Sequence, residues 1–359
     1  MSGAAERLAV PHNRLTFGEA EARAAAEAVA SGQWVGGPRV QALEARLAEL
    51  AGRAHAVAVA SGLAALRLGL YALGVAHGDE VIIPAYACVA LANAALALGA
   101  SPIAADVTED YNLDPHAVMA VRTSRTKAVI AVNTFGVPAD VTALGRTGVP
   151  VIEDCAHGFG LAVADGVLGG RADLAALSFH ATKLVGAGEG GAVVTDRAPL
   201  ADRVRAWRDY GDEPPDGTRL NDKLSDIHAA IASCQLERLD AMIDARQERA
   251  QRYQARLASA ARRTGAFRLP AGPASRVWYR YAVELTDRLA VDVVDGMRRR
   301  GVGAARPVTD WRPAAGGPCP TADRAYARVV SLPLYPTLRD DEQERVCEAL
   351  EAVVAESGH

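Results

Sequence analysis

The residues best suited to chemistry are a lysine and an aspartate, each at the end of a short apolar segment. Lys183 lies five residues after Ser178, and a glycine-rich turn follows it at 186–191. Asp154 ends a second apolar segment. Burial lowers the pKa of a lysine and so allows it to form an imine, while a carboxylate can keep a ring nitrogen protonated. On two neighbouring strand ends, these residues form the pair that pyridoxal phosphate requires: Lys183 as the Schiff-base lysine and Asp154 at the pyridine nitrogen.

Both residues also have an ordinary structural interpretation. Most lysines are solvated surface residues, and an aspartate after a strand is as often a helix cap. The combination of Lys183, Asp154 and a turn of glycines that lets the backbone approach a ligand favours the cofactor site.

A serine and a glycine at the start of a predicted helix are candidate phosphate ligands. Ser61 and Gly62 follow a strand-like segment directly. Free backbone N–H groups at such a helix start bind phosphate well, although a plain capping serine is the commoner meaning of the pattern. His157, three residues after Asp154, is a candidate contact to the ring or its oxygen. A lone histidine is more often structural, and this applies to His180 too.

The elements that must position these residues alternate between strand and helix. Apolar strands separated by helices predict a mostly parallel sheet that is covered on both faces. Ligands of such sheets bind beyond the carboxyl ends of the strands. The predicted strands lie at 56–59, 80–83, 102–105, 128–132, 149–153, 174–179 and 191–195.

After Thr195 the pattern changes to long, charged, amphipathic stretches. We therefore expect an α/β protein with a large domain over 15–245, a smaller C-terminal α+β domain over 246–359 and an N-terminal arm over 1–14. The elements predicted here are helices at 200–208, 225–262, 291–300 and 340–355 and a strand at 278–283.

Bulk composition excludes several classes of partner. The chain has 359 residues, of which 50% are hydrophobic and 23% charged, and its net charge is −4. No basic patch indicates nucleic-acid binding, and no apolar run approaches the length of a membrane span. Five scattered cysteines without a CxxC pair predict reduced thiols and no metal site. Because no secretion signal is recognisable, we expect a cytoplasmic protein.

Eight short segments match, in order, those of one enzyme family. They run nearly from end to end of the chain, at 31–34, 37–38, 61–66, 78–84, 151–157, 178–183, 189–195 and 331–334. On these segments the chain resembles the DegT/DnrJ/EryC1/StrS family, pyridoxal phosphate-dependent aminotransferases that act mainly on keto-sugars. The resemblance implies fold type I of the pyridoxal phosphate enzymes and a homodimer whose active sites lie at the subunit interface.

The resemblance also implies roles for single residues. Lys183 resembles the Schiff-base lysine of the family, and Asp154 resembles the partner of the pyridine nitrogen. Phosphate ligands are implied at the Ser178 side chain and at the backbone amides of Gly62 and Leu63. The family commonly has threonine where Leu63 stands, so one side-chain contact to phosphate is lost here.

Further positions match the family less closely. His157 stands where a glutamine or histidine usually contacts the ring oxygen, and Asn221 resembles an asparagine that reaches the phosphate from the neighbouring subunit. Cys88 replaces a common aromatic residue that stacks on the pyridine ring. Either Tyr86 or His157 then compensates, or the cofactor is held more loosely. Lys223 replaces a common arginine and so cannot form the bidentate hydrogen bonds of a guanidinium.

The resemblance predicts transamination from an amino donor, L-glutamate, to a keto-sugar that is nucleotide-linked, with a keto-cyclitol such as an inosose as the alternative acceptor. Arg306 and Arg312 lie where relatives often place substrate contacts. They can pair with a diphosphate, or they are surface charges. A cyclitol needs no such pair, so these residues leave the acceptor open. Tyr86 and His180 are further candidate substrate contacts.

Two other functional classes remain as alternatives. A dehydratase branch of the family has histidine in place of the Schiff-base lysine, so Lys183 argues against it. Amine-oxidising variants retain the lysine, and only oxygen and peroxide measurements separate them. A regulatory protein that merely binds the cofactor is disfavoured, because we recognise no DNA-binding domain.

Overall fold

Two sheets and a small hairpin contain all strands of the computed structural model, which describes residues 8–210, 220–272, 276–312 and 317–356. The larger sheet has seven strands in the order β1-β9-β8-β5-β4-β2-β3, the smaller has the order β10-β11-β12, and β6 pairs with β7. The strands are β1 His55–Val59, β2 Glu80–Pro84, β3 Ser101–Ala105, β4 Thr126–Val132, β5 Val151–Asp154, β6 Ala162–Val163, β7 Gly166–Val167, β8 Leu174–Ser178, β9 Gly191–Thr195, β10 Phe267–Arg268, β11 Tyr281–Leu285 and β12 Val329–Leu332.

Helices follow most strands, and local signals mark several of their ends. The Ser61 hydroxyl accepts the amide of Ala64 at the start of α3, and the Asp114 carboxylate accepts the amide of His116 at the start of α5. Gly52 ends α2 with a φ of 61°, which suits glycine. The helices are α1 Glu19–Ala30, α2 Pro38–Ala51, α3 Gly62–Ala72, α4 Ala90–Leu96, α5 Pro115–Val121, α6 Val141–Gly145, α7 Ala198–Arg208, α8 Asp226–Leu236, α9 Leu239–Thr264, α10 Ala290–Arg299, α11 Pro320–Arg328 and α12 Asp340–Ala355, with a short 3-10 turn at Thr134–Gly136.

Helices cover both faces of the seven-stranded sheet. Strand β9 is antiparallel to both neighbours, whereas β2, β3, β4, β5 and β8 pair in parallel. One face packs against α3, α4 and α7, and the other packs against α2 and α8 at one end and α5 and α6 at the other. The mostly parallel, mixed α/β sheet predicted from the strand–helix alternation is thus confirmed.

The smaller antiparallel sheet has its own core. Side chains of α9, α10 and α12 pack on β11 and β12, and Val10 of the N-terminal segment joins them. Val10 is tied to this part by backbone hydrogen bonds with Gly301 and Gly303. The division of the chain at residue 246 stays a prediction, because α9 passes through that position without a break.

Two predicted elements differ from the structure by more than a shift of one or two residues at an end. The helix predicted over 225–262 is two helices, α8 and α9, which meet at Glu237 and Arg238. Neither residue is a glycine or proline, so the pattern gave no sign of the break. The strand predicted over 278–283 begins only at Tyr281, and just before it Val277 pairs with Gly136 of another loop instead of a strand. In the part of the chain that the structure describes, no helix has the length and apolar composition to cross a membrane.

Candidate active site

A cavity of about 360 Å³ lies where the parallel strands of the large sheet end. Asp154 is the last residue of β5 and Ser178 the last of β8, and the start of α3 follows β1 closely. This is the edge at which open α/β sheets bind ligands. Ten of the sequence-predicted residues line the cavity: Ser61, Gly62, Leu63, Tyr86, Cys88, Asp154, His157, Ser178, His180 and Lys183.

One end of the cavity has the donors that a phosphate group needs. The first N–H groups of α3, those of Gly62 and Leu63, have no acceptor within the helix and lie at its positive end. The hydroxyl of Ser178 stands beside them: a Cβ added at Gly62 would lie only 2.8 Å from Ser178 Cβ. Gly62 is therefore needed for close approach rather than for an unusual backbone angle.

Asp154 and its neighbour Glu153 point to opposite faces of β5. Glu153 is fully buried and pairs with Arg171, whose Nη2 lies 2.6 Å from Glu153 Oε1. Asp154 faces the cavity, and its Oδ1 accepts the backbone N–H of Ala156 at 2.9 Å. Burial raises the pKa of Asp154, although that N–H and the nearby Lys183 act in the opposite direction. The cavity thus contains a buried carboxylate suited to a protonated ring nitrogen.

Lys183 lies in a turn that is stabilised by hydrogen bonds, one of them to the glycine-rich segment. Its backbone N–H donates to the carbonyl of His180, and the N–H of Ala181 donates to the carbonyl of Gly188 at 2.9 Å. Gly190 has a φ of 144°, and a Cβ there would meet Leu224 at 2.9 Å, so only glycine fits. The side chain enters the cavity, with Nζ 5.0 Å from the ring centroid of Tyr279.

His157 is fixed as a neutral imidazole. Its Nδ1 accepts the backbone N–H of Phe135 at 3.3 Å, so its proton belongs on Nε2. Burial, and then Lys183 and Arg280, hold the pKa of His157 well below its usual range. Phe135 presents its N–H from a left-handed backbone conformation, with φ of 54°, which is strained for a bulky residue.

Tyr279 lines the cavity but escaped the sequence analysis. The segment before β11 places Tyr279 at the cavity through a close backbone contact. In this contact Val277 donates its N–H to the carbonyl of Gly136 at 3.1 Å. A Cβ on Gly136 would lie 1.6 Å from the carbonyl oxygen of Val277, so this contact requires glycine. Burial alone would raise the pKa of Tyr279, but Lys183, Arg280 and a hydrogen bond with Thr182 together lower it.

Two hydroxyl groups in the cavity wall lack partners. Tyr86 is 1% exposed and Thr134 is 3% exposed, and neither Tyr86 Oη nor Thr134 Oγ1 has a hydrogen-bond partner among the described residues. Buried polar atoms are rarely left unpaired, so these two indicate a ligand with polar atoms. Together with Lys183, Asp154 and the phosphate donors, they fit a polar cofactor such as pyridoxal phosphate.

Three predicted residues do not line the cavity. Asn221 is exposed, beside Asp222, whose carbonyl accepts the N–H of Ala60 at 2.7 Å. Arg306 is exposed too. Arg312 binds Asp310 and Asp323, each at 2.7 Å, and so its charge is already balanced. The prediction that Arg312 contacts substrate therefore has no support from its position.

Comparison with known proteins agrees with this geometry. The model of the DegT/DnrJ/EryC1/StrS aminotransferase family matches residues 16–351. The aminotransferase TlmJ from Streptoalloteichus hindustanus is 30% identical with a TM-score of 0.90, over 96% of this chain and 99% of that chain. S. venezuelae DesV, solved with a ketimine intermediate, is 31% identical with a TM-score of 0.85, over 94% and 95% of the two chains. DesI, solved in the presence of its TDP-sugar product, is 30% identical with a TM-score of 0.88, over 98% and 94%.

The match covers nearly the whole chain, so both the family and the fold type I architecture expected from the sequence are confirmed. The cofactor of this family is pyridoxal phosphate, for which the cavity has suitable donors. The chain belongs to the DegT/DnrJ/EryC1/StrS family of pyridoxal phosphate-dependent sugar aminotransferases.

Proposed function

We propose that this aminotransferase moves an amino group from L-glutamate to the ketone of a nucleotide-linked keto-sugar, with Lys183 as the residue that carries the cofactor. The observation that supports the site best is the convergence of Lys183, Asp154 and the phosphate donors at Gly62 and Ser178 in one cavity. The similarity to DesI, which was solved with its TDP-sugar product, supports the class of acceptor.

Each part of the cofactor has a matching group in the cavity. Ser61, Ser178 and the amides of Gly62 and Leu63 would hold its phosphate, and the Asp154 carboxylate would hold its ring nitrogen. Pyridoxal phosphate, when bound, serves as an electron sink and carries the amino group between the two substrates.

Each residue around the reacting atoms has its own role in proton transfer or hydrogen bonding. Lys183 Nζ takes the proton from the α-carbon of the donor, as a general base placed next to it. Asp154 would place a negative charge next to the ring nitrogen of the cofactor. His157 donates its Nε2 proton to an oxygen, because its Nδ1 is already occupied by the N–H of Phe135.

Chemical trapping gives a direct test, because the chain has only three lysines. Borohydride reduction of the cofactor-loaded protein, followed by peptide mass mapping, should find the cofactor on Lys183. Lys127 and Lys223 serve as internal controls. Label on another lysine, or full turnover by a folded Lys183→Ala protein, would contradict the assignment.

We also propose a homodimer in which Asn221 acts on the partner's site. The segment that contains Asn221 lies beside an apolar surface, since Val35 forms a β-bridge with Ser225. Trp34 and Val35 on this surface are 55% and 56% exposed, and Leu63 at the cavity is 41% exposed. A partner subunit on this side would cover the adjacent exposed side chains of Trp34 and Val35.

Mixing two defective subunits tests this arrangement. Lys183→Ala and Asn221→Ala subunits, unfolded together and refolded, would form mixed dimers in which one site has both defects and the other has none. We expect activity above that of the separately refolded parents, reaching about a quarter of wild type for random pairing. A monomer by light scattering, or no gain on mixing, would contradict the proposal.

A keto-cyclitol remains the second candidate acceptor. The observation that favours it is the pairing of Arg312 with Asp310 and Asp323, which leaves no free charge there for a diphosphate. A panel of keto-sugars with and without the nucleotide, and of keto-cyclitols, would separate the two by the 2-oxoglutarate released. Hydrogen peroxide without amine transfer would instead indicate an amine oxidase.

We also propose a cytoplasmic location. All five cysteines are free, and only Cys88 is exposed. Reduced thiols are typical of the cytosol. Fractionation of cells that express the full-length protein would test this.

A further inference from the structure

A second, smaller recess opens beside the cofactor cavity. It measures about 80 Å³, and Thr182, Tyr279 and Arg280 line both spaces. His12, Arg246 and Ser331 are among the residues that close it. None of the residues in its lining is acidic.

Three cations surround the ring of Tyr279 at the border of this recess. Lys183 Nζ lies 5.0 Å from the ring centroid, Arg280 Cζ 5.2 Å and Arg246 Cζ 6.0 Å. Within the ranges that the structure describes, none of the three forms an ion pair. The charge of Arg280 adds to the lowering of the pKa of Arg246, so these cations repel one another and an anion in the recess would be stabilised.

Arg246 shows the need for a counter-charge most clearly. It is 4% exposed, and its Nη1 donates only to the backbone carbonyls of Tyr279 and Leu334, at 3.2 and 2.9 Å. Its Nε has no acceptor among the described residues. Burial lowers the pKa of Arg246 to about 10. A buried cation of this kind is costly unless an anion or further hydrogen bonds accompany it.

His12 orients Arg280 without neutralising it. Its Nε2 lies 3.2 Å from Arg280 Nη1, which can only donate, and 3.0 Å from the hydroxyl of Ser331. Burial, and then Arg280, lower the pKa of His12 to about 4, so the imidazole stays neutral. The guanidinium of Arg280 is thus held in place by a neutral partner.

We propose that Arg280, supported by Arg246, binds the α-carboxylate of the amino donor and of the 2-oxo acid that it becomes. The inference rests on the proposed aminotransferase function, because the α-carbon of the donor must lie beside Lys183. The α-carboxylate is bonded to that carbon. It would therefore lie at the border between the cavity and the recess, beside Tyr279 and Thr182. The recess is suited to one small anionic group and not to a nucleotide. The phosphate donors Gly62 and Ser178 do not line it.

The test compares Arg280→Gln with Arg280→Lys and with Arg299→Gln, which removes an exposed arginine of α10. Calorimetric titration of the cofactor-loaded proteins with glutarate measures carboxylate binding without turnover. We expect Arg280→Gln to weaken glutarate binding about tenfold or more, since a charge-assisted hydrogen bond is lost. Arg280→Lys should restore part of the affinity, and Arg299→Gln should match wild type.

Kinetics then distinguish the donor from a phosphate-bearing acceptor. Arg280→Gln should raise the KM for L-glutamate about tenfold or more and leave the KM for the ketone unchanged. A rise confined to the ketone would overturn the proposal, as would glutarate affinity and donor KM within about twofold of the Arg299→Gln control. If wild type transfers no amino group at all, the proposed function fails, while the glutarate titration still decides the carboxylate site.

Discussion

His157 and Tyr279 stack with ring centroids 4.3 Å apart and an interplanar angle of 15°. His157 follows β5 of the large sheet, whereas Tyr279 precedes β11 of the small one, so the stack joins the two parts of the molecule at the cofactor cavity. The ring of Phe135 lies on His157 as well, with centroids 6.2 Å apart. The imidazole is thus packed as a neutral aromatic ring, and protonating it would place a charge between Lys183 and Arg280.

The first prediction concerns acid stability. The pKa of His157 is depressed in the folded protein. Below pH 6.5, its ordinary pKa, His157 therefore becomes protonated in the unfolded chain but stays neutral in the folded protein. Stability from this group is therefore present above pH 6.5 and is lost as pH falls, by up to about 1.4 kcal/mol per pH unit. His157→Gln removes this loss, so the apoprotein variant should gain relative to wild type between pH 6.5 and 5.5.

Urea unfolding of the apoproteins at the two pH values measures the difference. The glutamine side chain keeps an oxygen that can accept the N–H of Phe135, although it gives up the stacking, which weakens the variant equally at both pH values. His116→Gln is the control, because His116 is exposed on α5. An unchanged pH dependence in His157→Gln would show that His157 is not held neutral.

The second prediction concerns Asp154. Its folded pKa is raised, so the folded apoprotein holds a proton more tightly than the unfolded chain does. Stability therefore falls as pH rises from the unfolded pKa towards the folded one, and the ionised carboxylate remains destabilising above it. We expect apo Asp154→Asn to be at least as stable as wild type at pH 7.5 and to lose this advantage in acid.

With the cofactor bound, we expect wild type to be more stable than Asp154→Asn. A protonated ring nitrogen compensates the carboxylate in wild type, so pyridoxal phosphate should raise the melting temperature of wild type more than that of Asp154→Asn. The variant should also lose at least about a hundredfold in turnover, as expected when a preorganised charge is removed. Asp287→Asn, at an exposed loop position, is the control. Equal stabilisation of both proteins by the cofactor would show that Asp154 does not contact it.

The sequence predicted which residues meet at one edge of the large sheet. Asp154 and Ser178 end adjacent parallel strands, and parallel strands end at one edge, so their meeting required only the strand pattern. Gly62 and Lys183 followed from local patterns, a helix start directly after a strand and a strand end before a glycine-rich turn. These residues and the α/β architecture were therefore available before any coordinates.

The residues that were missed come from irregular backbone far away in sequence. Tyr279 reaches the cavity because Val277 binds Gly136, a contact that no local pattern encodes. Phe135 contributes a backbone N–H from a left-handed turn, and its side-chain type gave no sign of this. Arg312 looked available because its partner Asp323 lies on α11, a helix that the sequence analysis did not predict.

The third prediction uses the close approach at the phosphate end. A Cβ on Gly62 would lie 2.8 Å from Ser178 Cβ and 3.0 Å from its hydroxyl oxygen, so Gly62→Ala must displace a phosphate donor. We expect the dissociation constant of pyridoxal phosphate, measured by fluorescence titration, to rise about tenfold, the loss of roughly one charge-assisted hydrogen bond.

Gly145→Ala is the matched control for this substitution. Gly145 is also helical, and a Cβ there would meet no atom within 4 Å. Alanine favours a helix over glycine at both sites, so any general gain in stability is shared. If both variants bound the cofactor equally well, Ser178 and the start of α3 would not form its phosphate site.

The last prediction concerns Cys88, which is exposed and lines the cavity where the family commonly has a stacking aromatic residue. Neither expected substitute is free to stack. Tyr86 packs edge-on against Tyr326, with centroids 4.8 Å apart, and His157 is stacked on Tyr279. Cys88→Phe should therefore tighten cofactor binding about two- to tenfold, from the roughly 0.5–1.5 kcal/mol that an aromatic contact contributes.

Equilibrium dialysis against pyridoxal phosphate measures this change, with Cys88→Ser as a control of nearly equal size. The serine variant should bind the cofactor within about twofold of wild type, because a thiol offers no flat face whose loss would matter. The phenylalanine variant has to keep the melting temperature of the apoprotein for the comparison to hold. If it did so and bound the cofactor no more tightly, the pyridine ring would lie elsewhere than over Cys88.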